Sequence, residues 1–218
     1  MKTDNQLHKD VLSELTWDPR IKEKEIGVAA KDGVVTLTGS VESYAQSWAS
    51  ERAVERVLGV RAVANDLKVA IPGAYNRTDT DIAHRVVNAL ASDIEVPDEK
   101  IQSRVANGWV TLEGEVIWQF QRDAATRCVR NLVGIRGVSN NLMVKPNPVS
   151  EVDVTRSIKQ ALERRADRTA EHVVVTARGG IITLTGSVPS FEDRRAAEGA
   201  AWSAPGVSEV HDELAVTF

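Results

Sequence analysis

Apolar residues recur along this chain with two spacings, and each spacing returns three times. A spacing of four residues, which places side chains on one face of a helix, opens each third of the chain. Its members are Leu7, Val11, Leu15, then Ile82, Val86, Leu90, then Val154, Ile158, Leu162. Alternating apolar and polar residues follow each stripe, which predicts a helix followed by two strands with one buried face.

Three ten-residue stretches, DGVVTLTGSV, NGWVTLEGEV and GGIITLTGSV, are nearly the same. Their glycines Gly33, Gly108 and Gly180 are offset by 75 and 72 residues, and Gly59, Gly134 and Gly206 repeat those offsets. Two separate sets of glycines that recur with the same offsets indicate internal repeats. We predict three modules at residues 1–73, 77–146 and 149–218, joined by short segments that carry Pro, Gly or Asn.

The repeated glycines have predicted structural roles. The pairs DG, NG and GG around Gly33, Gly108 and Gly180 favour tight hairpin turns with two positive φ angles. A second glycine, at Gly39, Gly114 and Gly186, is expected to bend the chain into a second helix. The glycines Gly59, Gly134 and Gly206 are expected to end that helix. The predicted fold is therefore α+β, with three tandem αββαβ modules, each a three-stranded sheet with two helices on one face.

Each module resembles the BON domain, a family named for osmotically inducible bacterial proteins and nodulation proteins. The marks are a glycine hairpin, V-x-L-x-G-x-V, and a later G-V-x-x-V-x-(N/D)-x-L-x-V, matched here by GVRAVANDLKV, GIRGVSNNLMV and GVSEVHDELAV. The resemblance covers nearly the whole chain. It implies a small non-enzymatic module that contacts phospholipid membranes or envelope proteins, often in a stress response, and it carries over no catalytic residue.

Composition narrows the choice of partners and location. The net charge is −4, which argues against nucleic acid as a partner. The first residues, MKTDNQLHKDVLSEL, do not look like a secretory signal, and no stretch approaches the roughly 20 apolar residues that would span a membrane. Together with the single cysteine, this predicts a cytoplasmic protein. Periplasmic placement is the alternative if the sequence is a shortened piece.

Catalytic and metal-binding patterns are missing from the sequence. The histidines His8, His84, His172 and His211 do not repeat in register, and none has a partner at metal-ligand spacing. Cys128 stands where the other modules have Ala53 and Ala200, which is typical of a buried small residue rather than a nucleophile. We therefore expect no enzyme activity, no metal and no cofactor.

Tryptophans and a nearby phenylalanine are the candidate binding residues. Trp109 is predicted to face outward from its strand, and Trp118 takes the helix-capping place of Ser43 and Ser190. Phe120 extends this apolar turn, and Trp17 and Trp48 are weaker candidates of the same kind. Two interpretations stay open: the rings pack against a neighbouring module, or they anchor a protein interface or a lipid headgroup region.

Charged clusters in the third module are interpreted as solvated faces. Their arginines alternate with acids, which disfavours a phosphate site. These arginines are Arg164, Arg165, Arg168, Arg194 and Arg195.

Two functions are consistent with the sequence. The first is an array of modules that contacts a phospholipid surface, where several weak sites on one chain reinforce each other. The second is a scaffold that binds a protein partner or forms a homo-oligomer. An apolar outer sheet face in the third module favours the scaffold, and its residues are Val174, Thr176, Ile181, Thr183 and Ala215.

Overall fold

The structure, a computed structural model, describes residues 2–146, 151–164 and 173–217. Each third of the chain folds as a helix, a β-hairpin, a second helix and a last strand. In the first module the last strand is split into two short pieces. Its elements are α1 (Asp4–Trp17), β1 (Ile26–Lys31), β2 (Val34–Val41), α2 (Tyr44–Glu55), β3 (Ala62–Asn65) and β4 (Lys68–Val69).

The second and third modules repeat this order with an unbroken last strand. The second consists of α3 (Asp79–Ala91), β5 (Ile101–Ala106), β6 (Trp109–Val116), α4 (Gln119–Arg130) and β7 (Gly137–Val144). The third consists of α5 (Glu151–Arg164), β8 (Val173–Arg178), β9 (Ile181–Val188), α6 (Phe191–Trp202) and β10 (Glu209–Val216). The predicted α+β fold of repeated αββαβ modules is confirmed.

Each module has its own mixed sheet. The hairpin strands pair antiparallel, and the last strand pairs parallel with the second hairpin strand, which therefore lies in the middle. A parallel partner needs a crossover connection, and the second helix of each module supplies it.

The hairpin turns form as the sequence predicts. In the first module Asp32 has φ 51° and Gly33 has φ 81°, and in the second Asn107 has φ 53° and Gly108 has φ 78°. Two consecutive positive φ angles suit a tight turn whose twist matches the strands. The aspartate that opens the first helix supports this turn: Asp79 accepts hydrogen bonds from the amides of Asn107 and Gly108 at 2.7 and 2.8 Å.

The second repeated glycine does not bend the chain into the helix, and that expectation is wrong in position. Gly114 lies inside β6, two residues before the strand ends, with φ 138°. A Cβ there would overlap the carbonyl oxygen of Lys100, where the chain enters the neighbouring strand β5. The glycine is needed because the backbone conformation is left-handed and two backbone segments approach closely.

Three separate cores hold the modules, one between each sheet and its two helices. The predicted stripes are buried in α1, in α3 and at Val154 and Ile158 of α5, whereas the side chain of Leu162 is outside the described part. Completely buried leucines and isoleucines of the central strands face these stripes, each contributing about 1.5–3 kcal/mol to folding. They are Leu37, Leu112, Ile182 and Leu184.

The repeated Asn or Asp of the last strand ties that strand to the second helix. Asn140 accepts a hydrogen bond from the amide of Leu142 at 3.1 Å and donates to the carbonyl oxygen of Arg122 and the hydroxyl of Thr126 at 2.8 and 2.6 Å. Asn65 makes the corresponding bonds to α2. These bonds explain why N-x-L or D-x-L recurs in every module.

Candidate functional site

The second helices of the three modules face one another. Each module contacts both others through side chains of these helices, so the modules form a closed ring. We call the contact between the second helices of two modules a joint. At each joint the contacts are made by residues that are equivalent by the offsets of 75 and 72 residues. The joints therefore share one geometry but differ in chemistry.

The joint between the first and second modules combines an apolar and a cationic contact. Tyr44, the first residue of α2, packs against the core of the second module. The guanidinium carbon of Arg130, at the end of α4, lies 3.6 Å from the centroid of the Trp48 ring. A cation over an indole face is attractive by about 0.5–2 kcal/mol, depending on how far it is desolvated.

The joint between the third and first modules repeats this layout. Phe191, equivalent to Tyr44, packs against the core of the first module. Arg195, equivalent to Trp48, forms an ion pair with Glu55 at 2.7 Å. The expected solvated face is thus wrong for two arginines of α6: Arg195 and Arg194 are half-buried, and Arg194 pairs with Asp212 at 2.6 Å. Arg165 and Arg168 lie outside the described residues, as does the side chain of Arg164.

The joint between the second and third modules is more open. Gln119 stands where the other joints have Tyr44 and Phe191, and a cavity of about 490 Å³ lies beside it. The Gln119 side-chain oxygen is buried without a hydrogen-bond partner in the described part of the chain. Trp202 of α6 bridges this joint, because it packs against the cores of both modules.

A larger cavity of about 850 Å³ lies where the three helices meet, and we call it the central cavity. All three modules supply its walls, which carry aromatic rings and arginines. The aromatic residues are Trp48, Trp118, Phe120 and Trp202, and the charged residues are Arg52, Arg127, Arg130, Arg195, Asp123 and Glu198. The lining thus comprises four arginines and two carboxylates.

The arginines of the central cavity differ in their partners. Arg52 and Arg195 share Glu55 at 3.1 and 2.7 Å, and Arg127 pairs with Glu95 at 2.6 Å. Arg130 has no carboxylate within ion-pair distance among the described residues. Burial lowers the pKa of Arg130, and the nearby charges of Arg127 and Arg52 lower it further. Its charged form is thus less favourable than that of an arginine in water.

Burial lowers the pKa of Arg130 but raises the pKa of two carboxylates of the ring, Glu55 and Asp123. The pKa of Glu55 is raised, first because burial disfavours its charge; the charge of Arg52 opposes this shift and that of Glu51 adds to it. Burial likewise raises the pKa of Asp123 in α4. In both carboxylates the charged form is therefore less favourable than it would be in water.

The structure separates the predicted aromatic residues into two groups. Trp48, Trp118 and Phe120 line the central cavity, and the Trp118 and Phe120 rings stack with centroids 6.4 Å apart. Trp109 and Trp17 are not part of that cavity's walls. The sequence could not show this division, because it depends on how the modules meet.

Trp109 faces outward from the sheet as predicted, with 49% of its surface exposed. Its indole lies over Gly137, its direct partner on β7, and its Nε1 donates to the Ser139 hydroxyl at 2.8 Å. An aromatic ring that covers a glycine on the adjacent strand stabilises the pairing. Trp17 instead extends from the end of α1 with 83% of its surface exposed.

The missing helix cap at Trp118 is partly compensated. Its side chain makes no capping hydrogen bond, whereas the Ser43 hydroxyl accepts the amide of Gln46 at 3.2 Å. The Gln121 side chain turns back instead and accepts the amides of Ile117 and Trp118 at 3.0 and 3.1 Å. The Trp118 side chain, which does not cap the helix, lines the central cavity instead.

Cys128 and the histidines show no catalytic arrangement. The Cys128 thiol donates to Asp93 at 3.1 Å, and burial, followed by that carboxylate, raises its pKa to about 11. A thiol that stays protonated at neutral pH is a poor nucleophile. No group of His, Cys, Asp and Glu in the described ranges could hold a metal ion, and His172 lies outside them.

Comparison with known protein families matches the BON domain at residues 3–71, 78–146 and 150–217. The chain belongs to the BON domain family. Its BON modules are 31% identical over 146 residues to osmotically-inducible protein Y of Escherichia coli strain K12, a match that covers 65% of this chain and 73% of that protein.

Two solved structures of CdsD, a structural protein of the type III secretion system of Chlamydia trachomatis, also match. The first is 14% identical and covers 96% of this chain and 91% of that one, with a TM-score of 0.27. The second, of the C-terminal domain, is 14% identical and covers 100% of both chains, with a TM-score of 0.28. At these scores the chains do not superpose as a whole, and no conclusion about this BON protein rests on them.

Sequence reasoning missed two residues of the ring, Arg130 and Trp202. The signal was available in the aligned copies. Equivalent positions on the second helix read Glu55, Arg130 and Trp202, and a position that varies this much in charge cannot be a shared core site. Such variation indicates a surface on which the copies differ, and here that surface is the joint.

Proposed function

We propose that this chain is a non-enzymatic binding protein whose BON modules contact phospholipid membranes during an osmotic or envelope stress response. Family membership and the similarity to osmotically-inducible protein Y support the stress context. No helix of the described ranges is long and apolar enough to cross a membrane. Contact would therefore be made by exposed side chains.

One observation carries the proposal. Two modules expose a large apolar residue near the end of the first helix: Trp17 is the last residue of α1, and Ile94, which is completely exposed, follows α3 in the second module. Leaving such residues in water forgoes about 1.5–3 kcal/mol of burial for each. Tryptophan is also favoured at the boundary between headgroups and acyl chains. Two such residues, each near the end of the first helix of its module, are suited to touching one surface together.

Flotation tests the proposal, with vesicles of phosphatidylglycerol and phosphatidylcholine at low and high salt. The wild-type chain should float, and salt should weaken it only modestly because the contact is apolar. The double variant Trp17→Ser with Ile94→Ser should float several-fold less. Val87→Thr, at another exposed apolar position, is the matched control and should float like the wild type.

A separate arm, Trp109→Thr, tests whether the outward indole also touches the membrane. Wild-type protein that stays at the bottom of the gradient with both lipid compositions would refute membrane contact. Loss of flotation in Val87→Thr equal to that of the double variant would show that Trp17 and Ile94 have no special part in binding.

The third module favours a second candidate, a scaffold that binds a protein or another copy. Its outer sheet face exposes Val174 to 58% and also carries Ile181, Thr176 and Ala215. An apolar sheet face of this kind is commonly covered by a partner. Light scattering over a range of protein concentrations tests self-association, and Val174→Thr with Ile181→Thr should abolish it.

A further inference from the structure

The central cavity holds a cation that the protein leaves without a counter-charge. The Arg130 guanidinium carbon lies 3.6 Å from the centroid of the Trp48 ring, and the group lacks a carboxylate partner among the described residues. Arg127 and Arg52, which also line the cavity, add repulsion to the cost of burial. A bound anion would relieve both, and a hydrogen bond to a charged group contributes more than one between neutral groups.

Aromatic rings complete the same cavity. Trp118 and Phe120 stack with an interplanar angle of 24°, and Trp202 supplies a third ring from α6. Trp118 occupies the place of a capping serine, so this module gives up a side-chain cap to place an indole there. Inorganic phosphate would use only the arginines, whereas a ligand with an apolar body would also use these rings.

The size of the cavity fits a small molecule. Its volume of about 850 Å³ lies within the range of roughly 300–1,000 Å³ found for ligand pockets. Its walls combine apolar rings with a few convergent polar groups, which is the usual composition of such sites.

We propose that the central cavity binds a small organic anion, with its phosphate, carboxylate or sulfonate group at Arg130 and its apolar body against Trp118 and Phe120. These three residues belong to the second module, and the first and third modules complete the walls with residues such as Trp48 and Trp202, so a single BON module does not contain the whole cavity. The proposal is independent of membrane contact, because Trp17 and Ile94 take no part in these walls. A soluble metabolite or a phospholipid headgroup could supply the anion.

A matched pair of fluorescent probes tests the proposal on the full chain. The anion 8-anilinonaphthalene-1-sulfonate and the neutral N-phenyl-1-naphthylamine share one ring system and differ in the sulfonate. The anion should bind roughly tenfold more tightly than the neutral probe, with energy transfer from tryptophan. Arg130→Gln should remove this preference and leave the neutral probe unchanged, whereas Arg104→Gln, at an exposed arginine of β5, should change neither.

A second variant keeps the test decisive if Arg130→Gln disturbs the ring. Trp118→Ser introduces the residue of the other modules, so the helix start is preserved, and it should weaken both probes several-fold. Displacement of the anion by 1-naphthyl phosphate would identify a soluble ligand class, and displacement by phosphatidylglycerol vesicles would identify a headgroup. Equal binding of the two probes, unaffected by Arg130→Gln or Trp118→Ser, would overturn the proposal.

Discussion

Asp18 shows how one side chain can couple the stability of a module to pH. It is the only buried ionisable residue among the described residues, and it follows the exposed Trp17. Arg20 donates to it from Nε at 2.9 Å and from Nη2 at 2.6 Å, and Arg56 lies 3.8 Å away. These contacts, led by the hydrogen bonds from Arg20, hold the pKa of Asp18 at about 2, below its usual 3.8.

The sign of the resulting pH dependence follows from this depressed pKa. The folded state binds the proton less readily than the unfolded chain, so the stabilisation is complete above pH 3.8 and is lost as pH falls toward 2. We expect the first module to lose about 2 kcal/mol over that interval. Urea unfolding at several pH values measures it.

Asp18→Asn should be less stable at neutral pH and should lose this part of the acid dependence. Asp66→Asn, at an exposed aspartate of the same module, is the control and should keep the wild-type profile. The two variants having the same acid profile would contradict the assignment to Asp18.

At the scale of the element, the central strand of each module depends on one glycine. Gly39, Gly114 and Gly186 have φ angles of 111°, 138° and 118°. In the first two modules a side chain would also meet the carbonyl oxygen at the entry of the adjacent strand. The strand therefore tolerates no other residue without a shift of backbone.

We predict that Gly114→Val destabilises the second module by about 1–3 kcal/mol or more, because strain and overlap add. Calorimetry should show a lowered transition for that module. Gly73→Ala is the matched control, because its φ is ordinary and no atom lies within 4 Å of the added Cβ. A Gly114→Val profile that superposes on the wild type would show that the strand can relax.

Local patterns were enough to predict the elements of each module. The stripe of Leu7, Val11 and Leu15 and the DG turn act over a few residues, so the sequence records them directly. The place of Gly114 was misjudged because the clash that requires glycine comes from the backbone of Lys100, directly before the neighbouring strand β5. Pairing across a sheet is not visible in a local pattern.

At the scale of the whole molecule, the sequence predicted three modules but not the ring. The joints consist of side chains that are distant in sequence, such as Glu55 and Arg195, and each resembles an ordinary surface charge when read alone. The candidate site was therefore only half predicted. The sequence singled out Trp48, Trp118 and Phe120 of the walls as binding candidates, but not Arg130 and Trp202, which complete them.

A double-mutant cycle on Glu55 and Arg195 tests ring closure. Glu55→Gln and Arg195→Gln should each destabilise the contact between the first and third modules, and the double variant should cost less than their sum. We expect a coupling energy of about 0.5–1 kcal/mol, because the pair is half-buried. The pair Lys22 and Glu42, which lies within the first module, is the control. Strict additivity for Glu55 and Arg195 would place the modules apart in solution.

The joints also determine in which order the modules follow one another around the ring. In the present order Glu55 meets Arg195, Arg130 meets Trp48, and Trp202 shares the cavity with Asp123. If the direction were reversed, the same helix positions would place Glu55 against Asp123 and Arg130 against Arg195. Two like-charged contacts would then replace an ion pair and a cation–π contact. The residues that differ between the three copies thus determine the order of the modules around the ring. Three identical modules could not distinguish this order from the reverse one.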